Sequence, residues 1–335
     1  MEAYLPWIIF FLTSAIVVVA ASKLAEYGDV ISVRTGLGGV FVGTILLAGA
    51  TSLPELITSV SSFRLGAPEL AAGNFFGSNL VNMALLALID LVNYQVPLLR
   101  SEAITQTLTA ALAASLMTVA TIFILADVDL VLGWVSVESL ILILLYFGGV
   151  WLVQQEGKLA AGTTGVTAMV PGADFPSLRR GILGFAAGAI VLVLVVPQLV
   201  AAASDIGAMT GMGNSFVGTA LLSLVTSLPE LLAAFTAVRL GATELAVGNL
   251  FGSSVFNMLA MGIADFFYLE GSFLNDISND FALVGLLGLL LTMMALVGNI
   301  ARIERRFLFI ELDAVAIIVV YLLSMYLLYL RGIGA

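Results

Sequence analysis

The sequence predicts an all-α membrane protein in which ten transmembrane helices form two inverted five-helix repeats, with broken helices around a mid-membrane site. Three observations support this prediction. The 335 residues are 61% hydrophobic and 10% charged, with a mean hydropathy of +1.14, whereas soluble domains carry about 25% charged residues. Ten windows of about 20 apolar residues are long enough to cross a bilayer. One 45-residue stretch occurs twice, at residues 42–86 and 217–261.

The duplicated stretch also sets the domain organisation. Its copies align without a gap at an offset of 175 residues, and 25 of 45 positions are identical, which marks an internal repeat. We expect residues 1–154 to form the first five-helix repeat and residues 180–335 the second. The segment between them, 155–179, is rich in Gly, Ala and Thr and is predicted to be a cytosolic linker.

Hydropathy places the ten spans, and their local sequence predicts which are irregular. Glu2 and the lack of a basic amino-terminal region favour a first membrane helix over a signal peptide. The third and eighth spans contain the pairs Gly73-Asn74 and Gly248-Asn249 and are expected to be broken helices. The first and sixth spans have no buried acid and are expected to be moving or covering helices. The predicted spans are 5–23, 37–64, 67–93, 103–126, 131–154, 180–203, 213–239, 242–268, 280–300 and 307–330.

The distribution of basic residues predicts the orientation. With the amino terminus outside, the inner side collects all but two of the 12 Lys and Arg residues, the exceptions being Arg64 and Arg331. An excess of positive charge marks the cytoplasmic side, so both termini are expected outside. Five spans per half is an odd number, so the second copy enters the membrane from the opposite side. Inverted repeats of this kind place their site near the bilayer midplane.

Composition excludes several kinds of chemistry. The chain has no Cys and no His, which excludes thiol chemistry, His-ligated zinc and imidazole proton relays. A bound metal ion must therefore be held by oxygen atoms, which favours hard cations. The net charge of −10 comes without a basic run, so no nucleic-acid partner is expected. The expected partners are inorganic cations and membrane lipid.

The first duplicated motif, TSLPE, places a carboxylate inside each apolar run, at residues 51–55 and 226–230. Proline lacks the N–H that would bond the carbonyl four residues earlier, which frees the carbonyls of Ala50 and Val225. Free carbonyls and acids in hydrocarbon need partners, and one bound cation would satisfy them together. The other polar groups of this motif belong to Thr51, Ser52, Glu55, Thr226, Ser227 and Glu230.

The second motif, GNxxGSxxxN, spans residues 73–82 and 248–257. Its Asn, Ser and Asn positions are four residues apart, so they share one helix face. Such groups in membrane helices often only bond neighbouring helices, but two copies in register with Pro and Glu favour an ion site. Together with the two glutamates they offer enough oxygen atoms for Ca²⁺, which takes about 6–8. The polar residues of this motif are Asn74, Ser78, Asn82, Asn249, Ser253 and Asn257.

The remaining acids are interpreted as structural or hydrated. Glu69 and Glu244 follow a short turn and are expected in the first turn of the next helix, where a carboxylate favours the helix dipole. Glu138, Glu311 and Asp313 lie near predicted span edges and are expected to be hydrated.

The doubled TSLPE and GNxxGSxxxN motifs resemble the α-repeats of the cation/calcium exchanger superfamily, most closely those of short prokaryotic sodium/calcium exchangers. The resemblance implies a Ca²⁺ site flanked by Na⁺ sites in a prokaryotic plasma membrane, with first and sixth helices that slide. It implies that Glu55 and Glu230 are bidentate Ca²⁺ ligands and that the carbonyls of Thr51 and Thr226 complete the site. It assigns to the Na⁺ sites Ser52, Ser78, Asn82, Ser227, Ser253 and Asn257, with carbonyls near Ala48 and Ser223.

Two positions depart from the family pattern. Some relatives carry Asp where this chain has Asn257, which leaves two acids in the cluster and leaves the Na⁺ stoichiometry open. Relatives often have Gly before the Thr of the first motif, where this chain has Ala50 and Val225.

These observations predict a secondary active antiporter that exchanges Ca²⁺ for Na⁺ by alternating access, functions as a monomer and has no catalytic residues. The alternative is an exchanger of Ca²⁺ or Mg²⁺ coupled to H⁺ or K⁺. A channel would need a continuous pore, which an inverted repeat with mid-membrane breaks disfavours. An intramembrane hydrolase would need a group that activates water beside the two glutamates, and the sequence offers none.

Overall fold

A computed structural model describes residues 4–35, 48–93, 104–127, 130–164, 176–301, 306–307 and 310–331. Within these residues, nine helical stretches are long and apolar enough to cross a membrane. The seventh predicted span corresponds to one of them, Gly213–Arg239. Its repeat equivalent, the predicted second span, lies partly outside the described residues, because residues 36–47 are not among them. The all-α membrane fold predicted from the sequence is confirmed.

The first half contains helices α1 to α5 and one short hairpin. Residues 48–51 are helical and lead into α2. The bounds are α1 Leu5–Thr35, α2 Leu53–Arg64, α3 Pro68–Val92, α4 Ile104–Ala126, β1 Val131–Leu132, β2 Val135–Ser136 and α5 Val137–Thr164.

The second half repeats this order with a more divided seventh span. Its bounds are α6 Leu178–Thr210, α7 Gly213–Val217, a π-helical segment Gly218–Leu222, α8 Ser223–Thr226, α9 Leu228–Arg239, α10 Thr243–Ala264, a 3-10 turn Asp265–Phe267, α11 Phe273–Asp276, α12 Phe281–Ala301, β3 Arg306–Phe307, β4 Ile310–Glu311 and α13 Leu312–Arg331. Both hairpins are antiparallel, with Val131 opposite Ser136 and Arg306 opposite Glu311.

The two halves pack as a pseudo-two-fold pair. Helix α3 packs on α10 at the centre, and α1 packs along α6 in the most extensive helix contact. The other contacts occur twice with the halves exchanged: α4 meets α10 as α12 meets α3, and α5 meets α10 as α13 meets α3. Because each half has an odd number of spans, this pairing is an inverted repeat.

Burial is concentrated in the central pair of helices. Large side chains such as Phe75, Phe76 and Phe251 are fully buried. Helices α1 and α6 instead expose apolar side chains, including Phe11, Val19 and Leu194, as expected for a surface in lipid. These two helices form, with residues of the second and seventh spans, a separate hydrophobic cluster, consistent with their predicted covering position.

The predicted breaks in the third and eighth spans are wrong, because α3 and α10 run unbroken through both Gly-Asn pairs. The glycines serve close packing instead. A Cβ on Gly73 would lie 2.7 Å from the backbone oxygen of Ser215 and the nitrogen of Thr219, and one on Gly218 would lie 2.6 Å from the oxygen of Leu70. Backbone therefore meets backbone here, which a side chain would prevent. The helix breaks lie in the second and seventh spans.

Three predicted spans also have shifted bounds. Helices α1 and α6 continue beyond residues 23 and 203 and contain 31 and 33 residues, so at about 1.5 Å per residue each is about 46–50 Å long. They exceed the hydrocarbon thickness of about 30 Å and must tilt or project from it. The predicted fifth span began at 131, where the structure has a hairpin before α5.

Candidate cation-binding site

Two matching helix breaks form the centre of the site. Ser52 separates residues 48–51 from α2, and Ser227 separates α8 from α9. Their backbone angles are nearly the same, with φ −92° and ψ 7° at Ser52 and φ −87° and ψ 0° at Ser227. Each break is followed within two residues by a proline, which has no N–H for the carbonyl four residues earlier. The TSLPE motif therefore produces the helix break, and the glycines of the GNxxGSxxxN motif do not.

The breaks change which backbone carbonyls are bonded. The amides of Ser52 and Ser227 donate to the carbonyls of Ala48 (2.9 Å) and Ser223 (3.0 Å). Across the described residues, no bond from α2 or α9 reaches the carbonyls of the two motif threonines, Thr51 and Thr226. These two oxygens are therefore available to a ligand.

The carbonyls of Ala48 and Ser223 are more fully engaged. Each also accepts a bond from the hydroxyl of the threonine three residues later, at 3.1 Å from Thr51 and 3.3 Å from Thr226. An ion that used these carbonyls would share them with existing hydrogen bonds. Their role as ligands stays a prediction.

The two glutamates meet across the repeats. Both are 1% exposed, and they are close enough for their charges to repel each other. Glu230 Oε1 accepts a bond of 3.1 Å from the hydroxyl of Ser52. Glu55 faces the hydroxyls of Thr226 and Ser78, but no donor reaches either of its carboxylate oxygens with hydrogen-bond geometry. Each glutamate thus lies against a motif hydroxyl of the opposite repeat.

Hydroxyl contacts between the helices reproduce the two-fold pairing. The hydroxyls of Thr51 and Ser253 are 3.4 Å apart, and those of Thr226 and Ser78 are 3.5 Å apart. In each pair, a threonine at a break contacts the motif serine of the other half's central helix. The two TSLPE motifs and the two central helices therefore converge on one place.

The asparagines brace the glutamates and join the central helices. Asn74 donates to the backbone oxygen of Glu55 at 3.3 Å, and Asn249 donates to that of Glu230 at 3.4 Å. The amide of Asn82 donates to the Ser254 hydroxyl at 3.4 Å. At the equivalent position of the second repeat, the amide of Asn257 donates to Asn79 Oδ1 at 3.0 Å. These asparagines therefore do bond neighbouring helices, but they do so mainly through their side-chain nitrogen atoms.

A group of buried oxygen atoms around the breaks remains without any hydrogen-bond partner. Leaving such atoms unpaired is costly, at about 1–3 kcal/mol each, and membrane surroundings offer no water to compensate. A bound cation, or a ligand that donates hydrogen bonds, would satisfy this group of oxygen atoms. They are Glu55 Oε1 and Oε2, Glu230 Oε2, Ser227 Oγ, Asn82 Oδ1, Asn249 Oδ1 and Asn257 Oδ1.

All the residues that the sequence predicted for the site are buried, each at most 1% exposed. Among the described residues, no group of three or more acidic side chains could hold a metal ion. The carboxylates of Glu55 and Glu230 therefore carry the charge of the site, and neutral oxygen atoms supply the rest.

The sequence interpretation missed three other buried acids. Glu138, expected to be hydrated, is 2% exposed, and that expectation is wrong because it lies near the fully buried residues Ser136 and Asp265. Asp90 and Asp265 are also buried, and their spacing of 175 residues, the offset of the repeat, was a signal just beyond the aligned stretch. By contrast, Glu69 and Glu244 do lie in the first turns of α3 and α10. Asp313 is half-buried, while the side chain of Glu311 lies outside the described residues.

Comparison with known proteins gives a consistent result. The sodium/calcium exchanger protein family model matches residues 5–154 and 180–330. The inner membrane protein YrbG of Escherichia coli is 26% identical over 258 residues, which cover 73% of this chain and 74% of that protein. The putative antiporter CaxA of Alkalimonas amylolytica is 27% identical, covering 76% and 78%. The sodium/calcium exchanger MaX1 of Methanosarcina acetivorans is 22% identical, covering 78% and 83%.

Solved structures show the same fold. The crystal structure of the H⁺/Ca²⁺ exchanger CAX superposes with a TM-score of 0.72 at 13% identity and covers 98% of this chain and 85% of that one. The sodium-calcium exchanger NCX_Mj, soaked with Na⁺ and Sr²⁺, gives a TM-score of 0.61 at 16% identity and covers 96% and 98%. At these identities the likeness supports the fold alone.

The unpaired carboxylate oxygens lead to a stability prediction. In mildly alkaline, cation-poor buffer, Glu55→Gln should raise the free energy of unfolding of the detergent-purified chain by about 1–3 kcal/mol, since it removes a buried, unpaired charge. Thermal unfolding, followed by tryptophan fluorescence, measures this change. Glu69→Gln, at the partly exposed first turn of α3, should leave stability unchanged. A Glu55→Gln protein that is less stable than the parent under these conditions would contradict the interpretation.

Proposed function

Because the chain belongs to the sodium/calcium exchanger protein family, we propose that it is a secondary active antiporter that exchanges Ca²⁺ for Na⁺ by alternating access. One observation carries the proposal. Two buried carboxylates, Glu55 and Glu230, meet from opposite repeats at paired helix breaks, among oxygen atoms that lack partners. This is a place for a hard cation inside a membrane protein.

The donor set fits Ca²⁺. If both carboxylates, of Glu55 and Glu230, bind through two oxygens each, they and the two free carbonyls of Thr51 and Thr226 provide about six oxygen ligands. This is the lower end of the range that Ca²⁺ takes. We assign the flanking positions to the monovalent ions. These comprise the side chains of Ser52, Ser78, Asn82, Ser227, Ser253 and Asn257, and the carbonyls of Ala48 and Ser223.

The same charges explain why exchange would be obligatory. An empty, sealed site would hold two adjacent carboxylates in a medium of low polarity, which is costly unless a cation or proton neutralises them. A site loaded with Ca²⁺ or with monovalent cations avoids this cost. Occlusion, and therefore passage across the membrane, is then favoured for loaded states only. We assign the movement to α1 and α6, which pack on each other and reach the break helices α2 and α9.

We propose that the protein works as a monomer in a prokaryotic plasma membrane with both termini outside. One chain supplies both halves of the site, which supports the monomer. The distribution of Lys and Arg supports the orientation.

The coupling ion has a second candidate. The fold resembles both an H⁺/Ca²⁺ exchanger and a sodium-calcium exchanger, and the amide at Asn257 limits the negative charge available for Na⁺. Coupling to H⁺ or K⁺ is therefore the alternative. Mg²⁺ as cargo is less favoured, because it keeps several waters, whereas hydrogen bonds of 3.0–3.5 Å hold the ligand side chains close together across the repeats.

Transport in proteoliposomes tests this function. Uptake of ⁴⁵Ca²⁺ should require an opposing gradient of one monovalent cation when Na⁺, K⁺ and H⁺ gradients are imposed one at a time. Glu55→Gln and Glu230→Gln should each abolish uptake because they halve the charge of the site, while Glu69→Gln should transport normally. Normal uptake by both site variants would refute the assignment of the ligands. Uptake that responds to H⁺ or K⁺ alone would identify the alternative coupling.

The charge of the site also predicts the stoichiometry. Two carboxylates are neutralised by one Ca²⁺ or by two monovalent cations, whereas a third would leave a buried positive charge, which is unfavourable. We therefore expect one Ca²⁺ to exchange for two monovalent cations with no net movement of charge.

A membrane potential distinguishes this stoichiometry from exchange for three cations. An exchange that moved one charge would gain or lose about 2.3 kcal/mol per 100 mV, so its Ca²⁺ accumulation would follow an imposed potential. We expect accumulation by the unmodified chain to be independent of a potential of either sign. Asn257→Asp, which supplies a third carboxylate, should introduce a dependence. A clear response of the unmodified chain would contradict the charge count.

A further inference from the structure

A second buried acidic cluster lies where the end of α10 meets the start of α5. Asp265 begins the 3-10 turn after α10, eight residues or about 12 Å of helix beyond Asn257. Glu138 lies in the first turn of α5. Their side chains are 0% and 2% exposed, and the neighbouring hydroxyl residues Ser136 and Ser272 are 0% and 2% exposed. This cluster is separate from the candidate exchange site.

Asp265 is held in place by three hydrogen bonds. Its Oδ2 accepts bonds from the backbone nitrogen of Ser136 at 2.7 Å and from the hydroxyl of the same residue at 2.8 Å. Its Oδ1 accepts a bond of 2.9 Å from the backbone nitrogen of Phe273. These three donors tie the β1–β2 hairpin and α11 to the end of α10. A carboxylate has about four acceptor positions, so one remains.

Glu138 has the opposite environment. Both of its carboxylate oxygens are buried and have no hydrogen-bond partner, and the buried hydroxyl of Ser272 has none either. Asp265, Asn275 and Ser136 are near neighbours of the Glu138 carboxylate. The start of a helix favours a negative charge, but it does not explain why a carboxylate should be buried without a donor beside another carboxylate.

No basic side chain accounts for this pair of acids in the described part of the chain. The ion pair found there joins Lys23 and Glu26 on α1. A protonated Glu138 would relieve the repulsion, but one proton would leave its second oxygen and the Ser272 hydroxyl without a partner. A divalent cation would neutralise both charges and would occupy the unpaired oxygens of Glu138.

We propose that Glu138 and Asp265 form a second binding site for one divalent hard cation of the Ca²⁺ class. Glu138 supplies two oxygens and Asp265 its remaining acceptor position, and the Ser272 hydroxyl and the side-chain oxygen of Asn275 lie on the adjoining segment. Such a cation bridges α5 to the end of α10 and stabilises the hairpin between them.

The surrounding surface supports a cation. Residues 268–280, of which Phe273 and Asn275 adjoin the cluster, carry the exposed acids Glu270, Asp276 and Asp280. Exposed charges of one sign raise the local concentration of the opposite ion. In the proposed orientation this surface lies outside the cell.

The internal repeat supplies a matched control. At an offset of 175, Asp265 corresponds to Asp90 and Glu138 corresponds to Asp313. Asp313 is half-buried, and its Oδ1 accepts a bond of 3.0 Å from the amide of Ala314. The residue equivalent to Ser136 is Glu311. The equivalent place in the other half, at Asp90 and Asp313, thus lacks the serine that anchors Asp265. It should therefore not bind a cation in the same way.

Direct binding tests the proposal independently of transport. The full chain carrying Glu55→Gln and Glu230→Gln, which disables the exchange site, is purified in detergent and its ⁴⁵Ca²⁺ binding is measured by equilibrium dialysis. We expect about one Ca²⁺ per chain to remain bound. Adding Glu138→Gln should weaken this binding by about tenfold or more, because the charge of the ligand set determines Ca²⁺ affinity. Adding Asp313→Asn instead should leave it unchanged.

Ser272→Ala provides a milder variant in the same background, for the case that Glu138→Gln does not give a monodisperse protein. It should also weaken binding, and Ca²⁺ should raise the thermal stability of the background protein more than that of either site variant. The proposal is overturned if the background protein binds no Ca²⁺, if Glu138→Gln and Ser272→Ala both leave binding unchanged, or if Asp313→Asn removes binding equally. None of these results depends on whether the chain exchanges Ca²⁺ for Na⁺.

Discussion

The central constraint on this structure is the cost of keeping two ionised carboxylates side by side inside a membrane. Glu55 and Glu230 are almost fully buried and near enough to repel each other. Three features of the surrounding helices place oxygen atoms around the two acids and hold the acids in position. Proline breaks release carbonyl oxygens beside the acids, glycines bring the break helices against the central helices, and asparagines fix the backbone that carries each glutamate. Among the residues that the structure describes, no ion pair reaches either glutamate, so we assign the neutralising charge to a bound cation or proton.

The duplication makes this arrangement nearly symmetric, and the small departures from symmetry are informative. Ser52 donates to Glu230, whereas the hydroxyl of its equivalent, Ser227, is unpaired and Glu55 receives no bond. The Thr226 hydroxyl contacts Asn74 Oδ1 at 3.0 Å, while the oxygen of the equivalent Asn249 has no partner. The Glu55 carboxylate is therefore less satisfied by the protein than that of Glu230, whereas the unpaired amide oxygen, that of Asn249, lies on the Glu230 side. A cation between them would gain most from the Glu55 carboxylate.

The sequence predicted the fold well, and it predicted which buried polar residues come together, because both depend on a duplicated local pattern; that these residues are ligands stays a prediction. An acid after a proline in an apolar run is costly wherever it lies, so its position could be inferred without coordinates. The errors concern tertiary packing. Gly73 and its equivalent Gly248 suggested breaks, but both lie within unbroken helices: Gly73 allows backbone contact with the seventh span, and Gly248 lies against the side chain of Gln106. Glu138 lies at a helix start and was expected to be hydrated, yet it is buried near Asp265 and Asn275 of the second half. Periodicity along one chain segment carries no information about which other segment covers it.

The central claim is that the site crosses the membrane only when a cation occupies it, and one-way efflux tests this claim most directly. Proteoliposomes loaded with ⁴⁵Ca²⁺ are diluted into an alkaline choline medium that contains no Ca²⁺, Na⁺ or K⁺. The account predicts that the label is retained and that it is released rapidly when unlabelled Ca²⁺ is added outside, whatever the coupling ion is. Rapid loss of ⁴⁵Ca²⁺ into the medium without exchangeable cations, at a rate comparable to that after addition of Ca²⁺, would contradict it.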